Sequence, residues 1–232
     1  MLKSSEDSVA TYAGIRRRLT DLLADTGDAE AASTLVPACP AWSVTEVIAH
    51  LYGVEADILA GNLAGVGTSE WADEQVRRFA PLGMHPLLDR WNQVGPDVEA
   101  LGGAFPPQVA AQFVFDASTH EHDIRGALDR AGARDADSVT VGLTFIEAAL
   151  HQLIVDRQLP GLELESPNFE ATMGAAPTTT RLSTSTFELF RTFGGRRSLG
   201  QIHDLPWQGD PVPYLELFST GPLKPPEQPL IE

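Results

Sequence analysis

The sequence predicts a mainly α protein, a four-helix bundle followed by a small α+β C-terminal domain. Three observations carry that prediction. Segments ahead of residue 158 repeat apolar side chains at steps of three and four, the period of a helix with one buried face. Two tetrads, Ser43-Val44-Thr45-Glu46 and Ser185-Thr186-Phe187-Glu188, read as capping boxes, in which a hydroxyl and a carboxylate satisfy free backbone donors at a helix start. After Pro160-Gly161 the texture changes to short alternating segments typical of strands. The expected domains are residues 1–158 and 159–232.

In chain order, Tyr12, Ile15, Leu19, Leu22 and Leu23 give a first helix from about Ser8 to Ala24. A loop with Pro37, Cys39 and Pro40 precedes the Ser43 box. The helix opened there carries Val47, His50, Leu51, Val54 and Ile58 on one face and should stop at Gly61. A short helical piece is expected around Trp71 to Phe79. Pro86 to Leu101 reads as another helix, in which Gly95-Pro96 could produce a kink or a split. Pro106-Pro107 suits the first turn of a helix running to about Ala131, with Val109, Phe113, Asp116, His120, Ile124 and Ala127 on one stripe. A further helix, about Ser138 to Asp156, places Val141, Phe145, Ala148, Ala149 and Gln152 together. Residues 162–165, 169–173 and 178–182 are candidate strands. The Ser185 box opens a helix that Gly194-Gly195 terminates, and the proline-rich tail from Pro222 is expected to be extended.

Composition narrows the function classes. The chain has 232 residues, 43% of them hydrophobic and 21% charged, enough for one substantial core or a main core with a satellite. Its formal net charge of −16 offers no cationic footprint for nucleic acid beyond Arg16-Arg17-Arg18 and Arg196-Arg197. No run of about eighteen apolar residues suggests a membrane span, and the N-terminus does not read as a signal peptide. The expectation is a cytoplasmic protein, monomer or homodimer, without nucleic-acid or membrane partners. A single cysteine, Cys39, excludes an internal disulfide and any paired-cysteine metal knuckle, so a metal here must be held by His and carboxylate.

Three residues fit that requirement. Asp116 and His120 are four apart, so on a helix both project from one face, about 6 Å apart along the axis. His50 is an imidazole on the inward face of another helix. Two histidines and a carboxylate form a usual catalytic ligand set for zinc or a similar ion. The same residues also fit blander roles: His50 as a hydrogen-bonded core residue, and Asp116 with His120 as a helix-stabilising pair. His122 with Ser118 offers another register, but Ser is a poor ligand and His122 lies about 200° around the helix from His120. Glu121 should point into solvent, and Asp123 is either an acceptor that orients an imidazole or a surface charge. Cys39 has no His or basic neighbour in sequence and reads as structural. A di-metal carboxylate bundle would need more inward carboxylates, and only Glu147 suggests itself.

Two motifs and a C-terminal segment carry a family resemblance. The stretch Val36-Pro37-Ala38-Cys39-Pro40-Ala41-Trp42-Ser43-Val44 through Ala49-His50-Leu51 resembles the opening motif of mycothiol-dependent maleylpyruvate isomerases, members of the DinB-like metal-binding superfamily. The stretch His120-Glu121-His122-Asp123-Ile124-Arg125-Gly126-Ala127-Leu128 is similar to the second motif, a His followed three residues later by Asp. Phe187 to Arg191, Gly195 to Ser198 and Trp207 to Pro211 resemble the C-terminal domain found in many members.

The resemblance implies a DinB-like four-helix bundle holding a divalent metal through His50, Asp116 and His120. Zinc is expected first, with nickel, cobalt or manganese as alternatives. It also implies mycothiol as thiol cosubstrate and a small electrophile as partner. The family's carboxylate is usually Glu, and Asp116 is shorter by one methylene, a departure that bears on metal preference and substrate class. In the implied reaction the metal stabilises the thiolate, which adds to a cis double bond; rotation and elimination then give the trans product. The same site would serve thiol transfer to other electrophiles. Arg196 and Arg197 either meet an anionic thiol or substrate or neutralise a helix end. Trp42 either packs ahead of the Ser43 cap or lines the pocket. A non-catalytic metal- or ligand-binding protein that keeps the fold is the alternative function.

Overall fold

The computed structural model describes residues 3–220 and 224–232 and is mostly helical. Its elements, in order, are α1 (Ser5–Leu23), α2 (Asp28–Ser33), α3 (Val44–Ala60), α4 (Ser69–Phe79), α5 (Met84–Ala100), α6 (Pro107–Ala127) and α7 (Asp137–Asp156). Then come β1 (Gly161–Ser166), β2 (Phe169–Met173), β3 (Thr178–Ser183), α8 (Thr186–Phe193), α9 (Leu199–His203), β4 (Trp207–Gln208) and α10 (Val212–Thr220). The chain divides into two compact units that part between Gly132 and Ala133, with Glu232 returning to the first. The strands begin after Pro160, as the change of texture suggests, yet α7 belongs with the sheet-bearing unit.

In the first unit α1 packs against α5 and α6, and α3 packs against the same two, so the four long helices close a ring. Their contacting faces supply the core: Ile15, Leu19 and Leu23 from α1, Val47, Ile48 and Leu51 from α3, Leu87 and Trp91 from α5, and Val114, Ala117 and Ile124 from α6. The Ser43 box forms in full: its hydroxyl accepts from Glu46 N, and the Glu46 carboxylate accepts from Ser43 N at 2.7 Å. Gly61 ends α3 in the left-handed region, φ 69°, where a side chain would be strained. α5 runs through Pro96 as one helix, and Pro107 starts α6 as expected. Of the α6 stripe, Val109 is exposed, because at this end the buried side of the helix runs through Ala110, Ala111 and Val114.

A second polar group is buried in this bundle. Glu55, on α3, is 1% exposed, and neither of its oxygens makes an aligned hydrogen bond. Tyr12 Oη, Trp91 Nε1 and Arg16 Nε are likewise buried without aligned partners. Arg16 pairs with Glu99 and donates to Asn92 Oδ1 at 2.8 Å. Burial pushes the Glu55 carboxyl up to about 7, against the pull of the Arg16 charge and of the nearby Trp91 N–H and Tyr12 hydroxyl, with Glu99 adding to the rise.

In the second unit the strand order is β2-β1-β3-β4. β1 runs antiparallel to β2 and parallel to β3, and β3 runs antiparallel to β4. Leu162, Leu164, Phe169, Ala171, Met173 and Leu182 alternate inward. α7 packs on β2 and α8. Its buried side is Val139, Leu143, Ile146, Leu150 and Ile154, whereas Phe145 of the expected stripe is half-buried and Ala148, Ala149 and Gln152 are exposed. By length and composition α7 is the one described helix apolar enough to cross a membrane, with half of its most apolar window buried in the protein. Ser185 caps α8, but Glu188 does not complete the box, because its carboxylate is taken by Arg197. Ser198 and Gln201 form a full box at α9 that the sequence reading missed. Of the proline-rich tail, residues 221–223 lie outside the described residues, and 224–232 contain no helix or strand.

Candidate metal centre

Two packed helices bring the three predicted ligands together. Asp116 and His120 stand one turn apart on α6, and His50 faces them from α3. His50 Nε2 lies 3.3 Å from Asp116 Oδ2, and His120 Nε2 lies 3.8 Å from Asp116 Oδ1. One donor atom from each of the three residues falls within 4.8 Å of the others. Donors about 2.0–2.2 Å from a tetrahedral ion stand roughly 3.3–3.6 Å apart, so the group needs little adjustment to enclose one. Both imidazoles are buried, while Asp116 is 36% exposed and leaves an approach from solvent. The Trp42 ring packs over the pair, its centroid 5.3 Å from that of His50 and 6.1 Å from that of His120. Trp42 therefore lines the site.

A chain of hydrogen bonds fixes which nitrogen of His50 faces this point. Gln75 on α4 presents Oε1 to His50 Nδ1 at 2.8 Å, while its Nε2 donates to Asp57 Oδ2 at 2.9 Å. A carboxylate only accepts, so the amide orientation follows, and His50 must donate from Nδ1. Its Nε2 lone pair is thereby turned toward Asp116, the tautomer a metal ligand needs. Arg78 clamps both Asp57 oxygens, at 2.7 and 2.6 Å, and Asn62 donates to Asp57 at 3.1 Å. Burial alone would lift Asp57, but these hydrogen bonds hold its carboxyl below the usual range. For His50, burial pushes its pKa down, but the Asp116 charge and the hydrogen bonds to Asp116 and Gln75 outweigh it, and the net shift is upward.

Gly53 makes this connection possible. A Cβ there would stand 2.6 Å from Gln75 Cβ and 2.8 Å from Gln75 Cγ. Only the bare backbone lets α4 close on α3 at the depth Gln75 requires. Replacing Gln75 by Leu keeps the volume and removes the acceptor. The expected result is a loss of metal affinity of about 10- to 100-fold with little loss of fold, read by competition against a chromophoric chelator. Unchanged affinity would show that His50 needs no such support.

The segment after His120 differs from its sequence reading. Glu121 is fully buried rather than solvated: Arg18 of α1 donates to both its oxygens, at 2.9 and 2.5 Å, and Arg125 joins from the next turn. Packing of α1 on this side of α6 covers what a single-helix view leaves open. Asp123 is not a surface charge. Its carboxylate is buried with Oδ2 3.2 Å from His120 Nδ1. Cys39 sits in a tight turn, its N–H donating to Val36 O and its carbonyl accepting from Trp42 N. That turn nonetheless delivers it to a histidine: Cys39, His120 and Asp123 bring one donor atom each within 4.8 Å. Buried His122 joins neither donor group. Glu147 lies in the second unit, and the buried carboxylates of the bundle are Glu55, Asp57, Glu121 and Asp123.

Arg196 and Arg197 lie in the second unit beyond the end of α8. Arg197 is buried in a two-pronged pair with Glu188, at 2.6 and 3.1 Å. Arg196 donates to the Gly194 carbonyl at 3.1 Å, the contact expected of a cation at a helix C-terminus.

The fold and the donor group define a class: a helical bundle that turns two imidazoles and a carboxylate toward one point between its helices. The chain belongs to the family described as the mycothiol maleylpyruvate isomerase N-terminal domain, which residues 12–136 match. Two solved structures share its fold. One is the crystal structure of a histidine-to-alanine mutant of the mycothiol-dependent maleylpyruvate isomerase, 15% identical, with a TM-score of 0.58. The other is a crystal structure of the mycothiol-dependent maleylpyruvate isomerase, also 15% identical, with a TM-score of 0.53. Each comparison covers 84% of this chain and 90% of the other. No curated protein matches the chain.

Proposed function

We propose that the protein is a cytoplasmic enzyme dependent on a divalent metal and on mycothiol, which isomerises a cis double bond or transfers the thiol to a small electrophile. The observation that carries this reading is the His50–Asp116–His120 group, with donors spaced as an ion requires, in a chain of this family. The donor chemistry fits the ion: two imidazole nitrogens and one carboxylate suit zinc, with nickel, cobalt and manganese as alternatives. A bound divalent ion would supply Lewis acidity that lowers the pKa of a thiol at an open position, giving a nucleophile at neutral pH.

The remaining work falls to the chain's own residues. His50 and His120 would hold the ion through Nε2 and Asp116 through its carboxylate, while Gln75 keeps the proton of His50 on Nδ1. Trp42 covers the imidazoles and limits water on that side. The thiol, when bound, would supply a nucleophilic sulfur able to add to a conjugated cis double bond and leave again after rotation, or to stay bonded to an electrophile that takes up a proton or releases its leaving group. Arg196 and Arg197 are the basic residues that the family resemblance offers to an anionic group of the thiol or substrate.

The test is turnover by the metal-loaded full chain with mycothiol, against maleylpyruvate and a panel of small electrophiles. Product formation requiring both metal and thiol is expected, and a chelator should abolish it. Absence of turnover across the panel, with metal bound, would assign a non-catalytic binding role instead.

A further inference from the structure

We propose a second metal site, for a thiophilic divalent ion, formed by Cys39, His120 and Asp123 on the opposite edge of the imidazole that serves the first. The three residues each bring a donor atom within 4.8 Å of the others. His120 Nδ1 and Asp123 Oδ2 are 3.2 Å apart, close to the separation of two donors on one small ion. At that distance a carboxylate would ordinarily accept the ring N–H, yet Nδ1 makes no aligned hydrogen bond although it is buried. The nitrogen and the carboxylate thus stand beside each other rather than along one line, the arrangement of two donors with a shared third point once the ring proton is displaced. Cys39 supplies the third donor from the turn ahead of α3 and is partly open to solvent, so an ion has an entry path.

A thiolate, an imidazole and a carboxylate together favour zinc or cadmium over magnesium or calcium, which prefer all-oxygen shells. Binding replaces the Cys39 S–H proton with the ion and releases that proton to solvent. The site also has a built-in relation to the first. His120 offers Nε2 to the His50–Asp116 side and Nδ1 to the Cys39–Asp123 side, and holding an ion on both edges requires the ring to lose its N–H proton. Each ion therefore weakens the other, and by reciprocity the two affinities fall by the same factor.

Cadmium titration of the full chain, followed by thiolate-to-metal charge-transfer absorbance, tests the proposal. The chain has one cysteine, so any such band reports Cys39. The titration should reach two equivalents, one of which brings the band in; Cys39→Ser should abolish the band, and Asp123→Asn should weaken that equivalent by at least about tenfold. In Asp116→Ala, which disables the first site, the band should remain and arrive with the first equivalent bound. A band that appears with the first equivalent in the wild type and vanishes in Asp116→Ala would mean that Cys39 joins the first site. Uptake of one equivalent with no band, or a band unaffected by Asp123→Asn, also overturns the proposal. The wild-type titration needs no variant to fold, and loss of the first site alone leaves this result readable.

Discussion

Replacing His120 by Ala is expected to leave the purified protein without stoichiometric divalent metal. Removal of an outer partner of a metal ligand commonly costs about 10- to 100-fold in affinity, and loss of one of three direct donors should exceed that. What remains in His120→Ala is His50 and Asp116, two donors 3.3 Å apart, too few to compete with water and buffer. The helix itself should persist, because Val114, Ala117 and Ile124 of α6 pack in the core independently of the site. Elemental analysis should give about one ion per chain for the wild type, and none for His50→Ala/His120→Ala at an unchanged circular dichroism spectrum. Full occupancy in that double variant would refute the ligand assignment. Restoring metal to His120→Ala with exogenous imidazole would separate a missing donor from a damaged fold.

The second large effect lies away from the ligands. Glu55→Gln is expected to stabilise the protein at alkaline pH and to change little in acid. The Glu55 carboxyl is lifted from its ordinary 4.5 to about 7, chiefly by burial. The folded state thus keeps a proton that the unfolded chain releases, and folding opposes ionisation. Stability is undiminished below about pH 4.5, falls as the pH rises toward 7, and levels off beyond it. The fall amounts to about 3 kcal/mol, since each tenfold change in proton affinity is worth roughly 1.4 kcal/mol. Gln has the same shape and no charge at any pH, so the variant lacks this slope. Urea unfolding at about pH 4, 6 and 8 should show the two proteins converging in acid and separating by that amount at the alkaline end. Parallel stability curves would mean that Glu55 ionises freely in the folded protein.

The metal centre was legible in the sequence only where its signals are local. The i, i+4 pair Asp116 and His120 and the inward face of α3 can be read from helical spacing, and Ser43 and Gly61 announce the ends of the helix that carries His50. Local signals of that kind act within one turn, and they survive in the fold. Partners supplied across helices do not announce themselves. Gln75 lies on a short, outwardly polar helix, and nothing in its own neighbours marks it as the support of His50. Glu121 looks solvated until Arg18 arrives from α1, and Cys39 looks isolated until α6 brings His120 beside it. α7 misleads differently: its apolar residues are so many that two stripes can be drawn, and the second unit buries the one through Leu143 and Ile146.

The Gln75 contact also links His50 to a helix that follows the exposed segment 61–68. α4 buries only Gln75 and Val76, and the segment before it, residues 61–68, is exposed throughout. Exposed segments of that kind open locally at a small fraction of the global cost, while Arg78 on Asp57 and the seating of Gln75 on Gly53 hold α4 to α3. When α4 lifts, His50 loses the acceptor on Nδ1 and its ring is released to turn. Metal bound at His50 would then be expected to slow amide exchange along α4, with Gly53 as the contact plane on which that helix seats.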